Sequence, residues 1–306
     1  MNILVTGATG LIGSRIVRHL LKDSHEVTGL SLRGGNIDKA AAPRFSLIAC
    51  DLAGEGEILT RLPGQAYDAV IHCASQQPRE GLCYPSYHRA NVTTLDLLLD
   101  WMGRYDTRNI ISLSTVAFHE FSSLSEMPMD ESSPVNPSNF YALSKYTAEQ
   151  LLRIRAEQEG FHALCLRLPS VFIEEQKGGI VHTYYEQARS GKNVEIYGEG
   201  RYKRNLIYID EILQGIDKGL ICIRDMRGFH PLLLGGTESL SMKEIAEHIY
   251  HRLRSSGRIR LVPTEPPIPG HWIFNLSAAR AKLGFEPADP RQRLNLYLEN
   301  MQRMLL

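Results

Sequence analysis

The sequence predicts an α/β protein: a doubly wound parallel sheet accompanied by a smaller, irregular α/β lobe. Short β-branched runs alternate with helical patterns through the first half, the order that lays helices over a parallel sheet. Several of those runs are apolar without alternation, as strands covered on both faces require. A glycine-rich turn, "LVTGATGLIG", falls between the first strand and the first helix.

Taken in order, "NILVTG", "EVTGLS", "FSLIAC", "AVIHCAS", "NIISLS" and "HALCLRL" read as strands. "LIGSRIVRHLLKD" reads as a helix, because Ile12, Ile16, Val17 and Leu20 make one apolar stripe. "YTAEQLLRIRAEQ" follows the proline-bounded run "SSPVNPSNF" and reads as another helix. After residue 168 the rhythm breaks into longer loops. "NVEIYG" and "NLIYI" are strand-like, and "SMKEIAEHIYHRLR" is a helix opened by Ser241 with Glu244 in capping-box spacing. "TEPPIPGHW" (264–272) is a proline-rich loop, and "RQRLNLYLENMQRMLL" is a closing amphipathic helix. The expected domains are 1–168 with a return segment near 206–232, and 169–205 with 233–306.

With 306 residues and 43% hydrophobic content the chain can bury a substantial core. Lys plus Arg and Asp plus Glu both number 34, so no global field gathers nucleic acid or an anionic membrane surface. No run approaches the roughly 18 apolar residues of a membrane span. The strand pattern begins at the second residue, leaving no room for a signal peptide, so a cytoplasmic protein is expected. Five scattered cysteines without C-x-x-C spacing read as reduced thiols. The eleven histidines never fall into H-x-x-x-H or mixed Cys/His spacing, so no metal is expected.

Gly7, Gly10 and Gly13 sit where a strand feeds a helix. Glycine there lets the backbone turn tightly and approach a pyrophosphate, whose charge meets unpaired amides at the helix N-terminus. Tyr141 and Lys145, in "YALSK", are four residues apart and share a helical face. A nearby ammonium stabilises phenolate over phenol and is expected to pull the tyrosine pKa down from about 10. The two would then form an acid/base pair.

The G-x-x-G-x-x-G turn together with "YALSK" resembles the short-chain dehydrogenase/reductase superfamily. Length and the second lobe point to its extended branch, the NAD-dependent epimerases and dehydratases. Further segments resemble that branch in the same order: "ACDLAG", "VIHCAS", "RANVTTLDLLL", "GEGRYKRNLIYIDEI" and "NLSAARAKLGFEP". The resemblance implies a Rossmann domain for NAD or NADP and a substrate-binding lobe. It assigns Gly7, Gly10, Leu11, Ile12 and Gly13 to the pyrophosphate, Asp51 and Leu52 to adenine, and Cys73, Ala74 and Asn91 to the dinucleotide groove. By the family pattern S-S-S-A-T-V-Y-G-E, Ser114 aligns with the catalytic serine, with Thr115 as its neighbouring alternative. Ser114 would bind the substrate oxygen, Tyr141 would move its proton, and Lys145 would hold the nicotinamide ribose.

A carboxylate about twenty residues past the glycines selects NAD, and an arginine accommodates the phosphate of NADP. Here "GLSLRGG" places Ser31 at that position with Arg33 following, which favours NADP. The acidic pair that family dehydratases carry after the catalytic hydroxyl is replaced by Val116 and Ala117. Dehydration is thereby disfavoured, leaving epimerisation or keto-reduction of a nucleotide-linked sugar. No second acid/base is assigned; Cys83, His88 and His119 are the candidates. Arg204 matches the family's first phosphate-contacting arginine, with Arg201 and Lys203 beside it. "RLPSVFIE" and "IPGH" depart from the family's R-x-x-N-V-Y-G-P and R-P-G-D segments at Ser170, Ile173, Glu174, Ile268 and His271. Those departures keep open a reductase of a simpler ketone or polyol; a non-catalytic dinucleotide sensor is a separate alternative, against which the retention of Ser114, Tyr141 and Lys145 speaks. The family habit of packing the Tyr-Lys helix into a four-helix bundle implies a homodimer.

Overall fold

A computed structural model of the chain describes residues 1–34, 43–54, 56–119, 128–264 and 270–304. In chain order the elements begin β1 (Asn2–Thr6), α1 (Leu11–Lys22), β2 (Glu26–Ser31), β3 (Phe45–Ala49), α2 (Glu57–Arg61), β4 (Ala69–His72), α3 (Tyr84–His88), α4 (Thr94–Arg104), β5 (Asn109–Thr115), α5 (Phe140–Glu159) and β6 (His162–Leu168). They continue with β7 (Ser170–Phe172), α6 (Ile180–Arg189), β8 (Val194–Tyr197), β9 (Lys203–Tyr208), α7 (Ile209–Cys222), β10 (Gly228–Leu233), β11 (Ser239–Ser241), α8 (Met242–Arg252), β12 (Ile259–Val262), α9 (Ser277–Leu283) and α10 (Pro290–Arg303). The six strands read from the first half are β1 to β6.

Contacts divide the chain into two compact units. The first comprises Met1–Phe118, Val135–Arg167 and Leu213–Leu232; the second comprises His119–Pro134, Leu168–Ile212 and Leu233–Leu306. A seven-stranded sheet runs in the order β10-β6-β5-β4-β1-β2-β3. β1 pairs in parallel with both β2 and β4, so the strand order reverses beside it. That reversal opens a crevice outside the carboxyl ends of β1 and β4, the usual ligand position in such sheets.

The apolar strands are buried because helices cover them. Leu98, Leu99, Trp101 and Met102 of α4, all 0% exposed, pack in one cluster with Leu4, Val70 and Ile110 of the sheet and with Leu152 and Ala156 of α5. Between α3 and α4 the chain makes a single π-helical turn, Arg89–Thr93, which buries Asn91.

The second unit holds a three-stranded sheet, β11-β9-β7, and a parallel β8/β12 pair. Ser241 caps α8 and Glu244 returns the bond, as the spacing predicts. The strands β7 and β11 have three residues each, too short for a hydrophobic period to mark them. Residues 265–269 of the expected proline-rich loop lie outside the described residues.

His19 of α1 ties that helix to α7 through Asp217, with Nε2 to carboxylate at 2.8 Å. The hydrogen bond to Asp217 raises the His19 pKa above its usual value, against the opposing effect of burial. A raised folded-state pKa means stability that is complete below the unfolded histidine's pKa and is lost as pH rises through the folded one. The thermal midpoint of His19→Gln should therefore lie furthest below wild type near about pH 5.5 and converge on it above neutrality. Melts followed by circular dichroism across that range check this.

Candidate active site

Gly7 follows β1 with φ +66°, a conformation that L side chains rarely adopt. A Cβ there would lie 2.8 Å from the Ala74 amide nitrogen, just beyond β4, so glycine is what lets the two strand ends meet. One at Gly13 would lie 2.1 Å from the Gly7 oxygen. Gly10 donates its amide to that oxygen at 2.8 Å and stands at the N-cap of α1. No side chain caps this helix and its first turn carries no acid, so its free amides and positive dipole end suit an anionic phosphate. Leu11 and Ile12 supply that first turn.

Thr6 knits the crevice floor: its hydroxyl lies 2.9 Å from His72 Nδ1 and accepts the amides of Cys73 and Ala74, each at 3.2 Å. At the end of β2, Ser31 hydrogen-bonds Thr9 at 2.6 Å and donates to the Gly34 carbonyl at 3.1 Å; Arg33 beside it is exposed. The Asp51 carboxylate accepts the Ala53 amide at 3.0 Å and Arg89 at 2.7 Å. Burial raises its pKa, but those bonds to Arg89 and Ala53 bring it below the usual carboxylate value. Leu52 packs in the core cluster.

Asn91 was expected to line the groove. It is 2% exposed and its amide is occupied: Nδ2 donates to Ser144 Oγ at 2.8 Å and Oδ1 accepts the Gln76 amide at 2.7 Å. The side chain pins the segment after β4 to α5.

Helix α5 begins at the Asn139 cap and carries Tyr141 in its first turn. The side chains of Thr115 and Gln77 lie near the phenol, and its ring meets Tyr87 edge-on at 6.4 Å. Ser114, expected opposite Tyr141, donates instead to Glu149 Oε2 at 3.0 Å. The reason is strand alternation: neighbouring residues of β5 face opposite sides, so Ser112 and Ser114 look away from the side that Thr115 presents. The hydroxyl on the phenol's side is that of Thr115.

Lys145 is 6% exposed and donates Nζ to the Leu113 carbonyl at 2.8 Å. Burial lowers its pKa; Cys165, Glu149 and Cys73 pull the other way. The expected lowering of the Tyr141 pKa is absent here. Burial raises it, against the lowering effect of the neighbouring Thr115 and Gln77 side chains. The ammonium points along the strand edge toward Leu113 rather than onto the phenol.

Behind it lies an assembly the sequence reading missed. Glu149 and Arg167, 1% and 6% exposed in their side chains, form a buried ion pair. Arg167 also stacks on Phe118, 5.2 Å from the ring centroid. Two signals pointed there. Glu149 continues the four-residue spacing of Tyr141 and Lys145, and Arg167 is a charge inside an apolar strand, which demands a counter-ion. Gln77 had no such signal, lying in an irregular segment.

In the second unit, the Arg204 guanidinium lies between two rings, 4.7 Å from Tyr202 and 4.6 Å from Trp272. Lys203 donates its amide to His271 Nδ1 at 3.1 Å. Arg201 is exposed and pairs with Glu199. Glu174 is buried and accepts the Tyr208 hydroxyl and, at 2.8 Å, Asn300 Nδ2.

Among known proteins, the chain is 25% identical over 317 residues to a dTDP-4-dehydro-6-deoxy-D-allose reductase of Streptomyces bikiniensis, covering 95% of this chain and 93% of that one. It is 26% identical over 306 residues to a dTDP-glucose 4,6-dehydratase of Streptomyces niveus, covering 94% and 88%. Its fold matches the crystal structure of a UDP-glucuronic acid 4-epimerase from Bacillus cereus in complex with UDP-glucuronic acid and NAD, with TM-score 0.83, 21% identity and coverage of 99% and 100%. A family model spans residues 3–221, from the first residues of β1 to the end of α7. With that match over the glycine turn, the Tyr-Lys helix and the sheet that joins them, the chain belongs to the NAD dependent epimerase/dehydratase family.

Proposed function

We propose that the chain is an NAD(P)-dependent epimerase or keto-reductase of a nucleotide-linked sugar, with the first unit binding dinucleotide and the second binding substrate. The observation that carries this reading is the Tyr141 phenol set beside Thr115 at the carboxyl edge of the sheet, on the helix whose Lys145 is anchored to the Leu113 carbonyl of the same strand. The relatives that act on dTDP-sugars support it, as does the fold shared with a UDP-sugar epimerase.

The glycine cradle fits a dinucleotide, since its Cβ-free surfaces and uncapped helix end leave room and charge for a pyrophosphate. A bound nicotinamide supplies hydride transfer to or from a sugar carbon. Thr115 and Tyr141 then bracket the substrate oxygen. Thr115 orients it by hydrogen bond, and Tyr141 gives or takes its proton. The raised pKa of Tyr141 keeps the phenol protonated near neutrality, the form that donates to a carbonyl oxygen during reduction. Lys145, fixed on the Leu113 carbonyl, holds positive charge at the same helical face. Arg204, flattened between two rings, presents its N–H edge to phosphate oxygens.

Two finer choices follow from the residues. Val116 and Ala117 bring no ionisable group beside Thr115, which disfavours dehydration even though a dehydratase is among the relatives. Ser31 offers no carboxylate to a ribose hydroxyl, and the exposed Arg33 lies two residues on, which favours NADP. Exposed Leu143 and Ile154 on α5 are the apolar surface for a homodimer in the cytoplasm.

Tyr141→Phe should lower turnover of a 4-keto nucleotide sugar by about a thousandfold, read from nicotinamide absorbance. Thr115→Ala should cost more than Ser114→Ala. Equal turnover in Tyr141→Phe and wild type would leave a dinucleotide-binding protein without this chemistry. Titration by cofactor fluorescence should give tighter binding of NADPH than of NADH, and Arg33→Ala should erase the difference. Mass spectrometry of the purified protein would identify any retained nucleotide.

A further inference from the structure

The buried charge behind the Tyr-Lys face has a geometry of its own. Tyr141, Lys145 and Glu149 occupy successive turns of α5. Lys145 and Glu149 both line a small cavity of about 10 Å³, with His72 of β4, Ser112 and Ser114 of β5, and Cys165 of β6. That is room for about one water. The Glu149 carboxylate accepts Arg167 Nε at 3.0 Å, Ser114 Oγ at 3.0 Å and Cys165 Sγ at 3.4 Å.

We propose that Glu149 is a positioning residue for Lys145: its carboxylate, anchored by Arg167 and Ser114, is the buried counter-charge that keeps the Lys145 side chain an ammonium on the Leu113 carbonyl. This rests on the reading that Lys145 serves Tyr141, and it gives Ser114 a place in the structure other than at the substrate.

The groups facing Lys145 leave few alternatives. From β4, burial together with the positive charge of Lys145 holds His72 neutral, its pKa pushed down to about 3. The Cys73 thiol is pushed up to about 12 by burial, and burial likewise raises Cys165 on β6. From β5 the groups are hydroxyls, and Arg167 on β6 is a second cation. Glu149 is the carboxylate among the described residues that line the cavity. A lysine buried in apolar surroundings tends to lose its proton, and an uncompensated second cation would strengthen that tendency.

The test follows the Lys145 titration itself, by NMR of protein labelled with ¹³C-lysine, the resonance assigned through Lys145→Arg. In Glu149→Gln the Lys145 midpoint should fall by about one pH unit or more, because the isosteric amide keeps the shape and removes the charge. In Arg167→Gln it should rise, because the carboxylate then answers to one cation instead of two. Glu149→Asp should restore most of the wild-type midpoint. A Lys145 midpoint unchanged in Glu149→Gln, or shifts of the same sign in both charge-removing variants, would overturn the proposal. If Glu149→Gln does not fold, Arg167→Gln decides alone, an unchanged or lowered midpoint counting against it. The titration is independent of turnover, so loss of this inference and loss of the catalytic reading are separable: the second fails only if Tyr141→Phe retains activity.

Discussion

Two of the three residues that α5 presents on successive turns are charged and buried, and this constrains the helix more tightly than its apolar contacts do. Apolar side chains tolerate small slides along a surface, whereas a buried ammonium and a buried carboxylate each need a partner at hydrogen-bond distance. Lys145 finds the Leu113 carbonyl and Glu149 finds Arg167, so one helix is fixed to two adjacent strands, β5 and β6. The place of the Tyr141 phenol beside Thr115 follows from that registry.

Much of the fold was legible, for identifiable reasons. Six strands and α1 announced themselves through unbroken apolar runs and one clear stripe, and the α8 cap through Ser241 and Glu244. The glycine turn was legible because sterics leave little choice at Gly7 and Gly13. Ser114 lies on the Glu149 side of β5 for a physical reason: the strand period is two, so a shift of a single residue exchanges the faces of the sheet. "SLST" offers hydroxyls on both sides, and spacing alone cannot say which one meets the tyrosine. Asn91 is a different case. Its amide is taken by Gln76 and Ser144, partners that come together only in three dimensions.

The second unit shows how departures from a family pattern are absorbed. Glu174 stands where the resemblance leads one to expect proline, and a buried carboxylate would be costly alone. Tyr208 of β9 and Asn300 of α10 supply its hydrogen bonds, so the substitution ties the strand to the closing helix. Arg204 is treated in a similar way: stacking on Tyr202 and Trp272 limits the rotamers of a long side chain, which reduces the entropy lost when it meets an anion.

The π-helical turn at Arg89–Thr93 accommodates one residue more than a regular helix would. Excising a single residue from it would restore ordinary α-helical pairing and leave the flanking helices nearly in phase, because the wider turn already absorbs the added residue. What would change is the widened turn that carries Asn91, whose side chain ties the segment from Ser75 to Gln77 to α5. Segment length here is thus itself under geometric constraint, since one residue more or fewer decides whether a single amide reaches both Gln76 and Ser144.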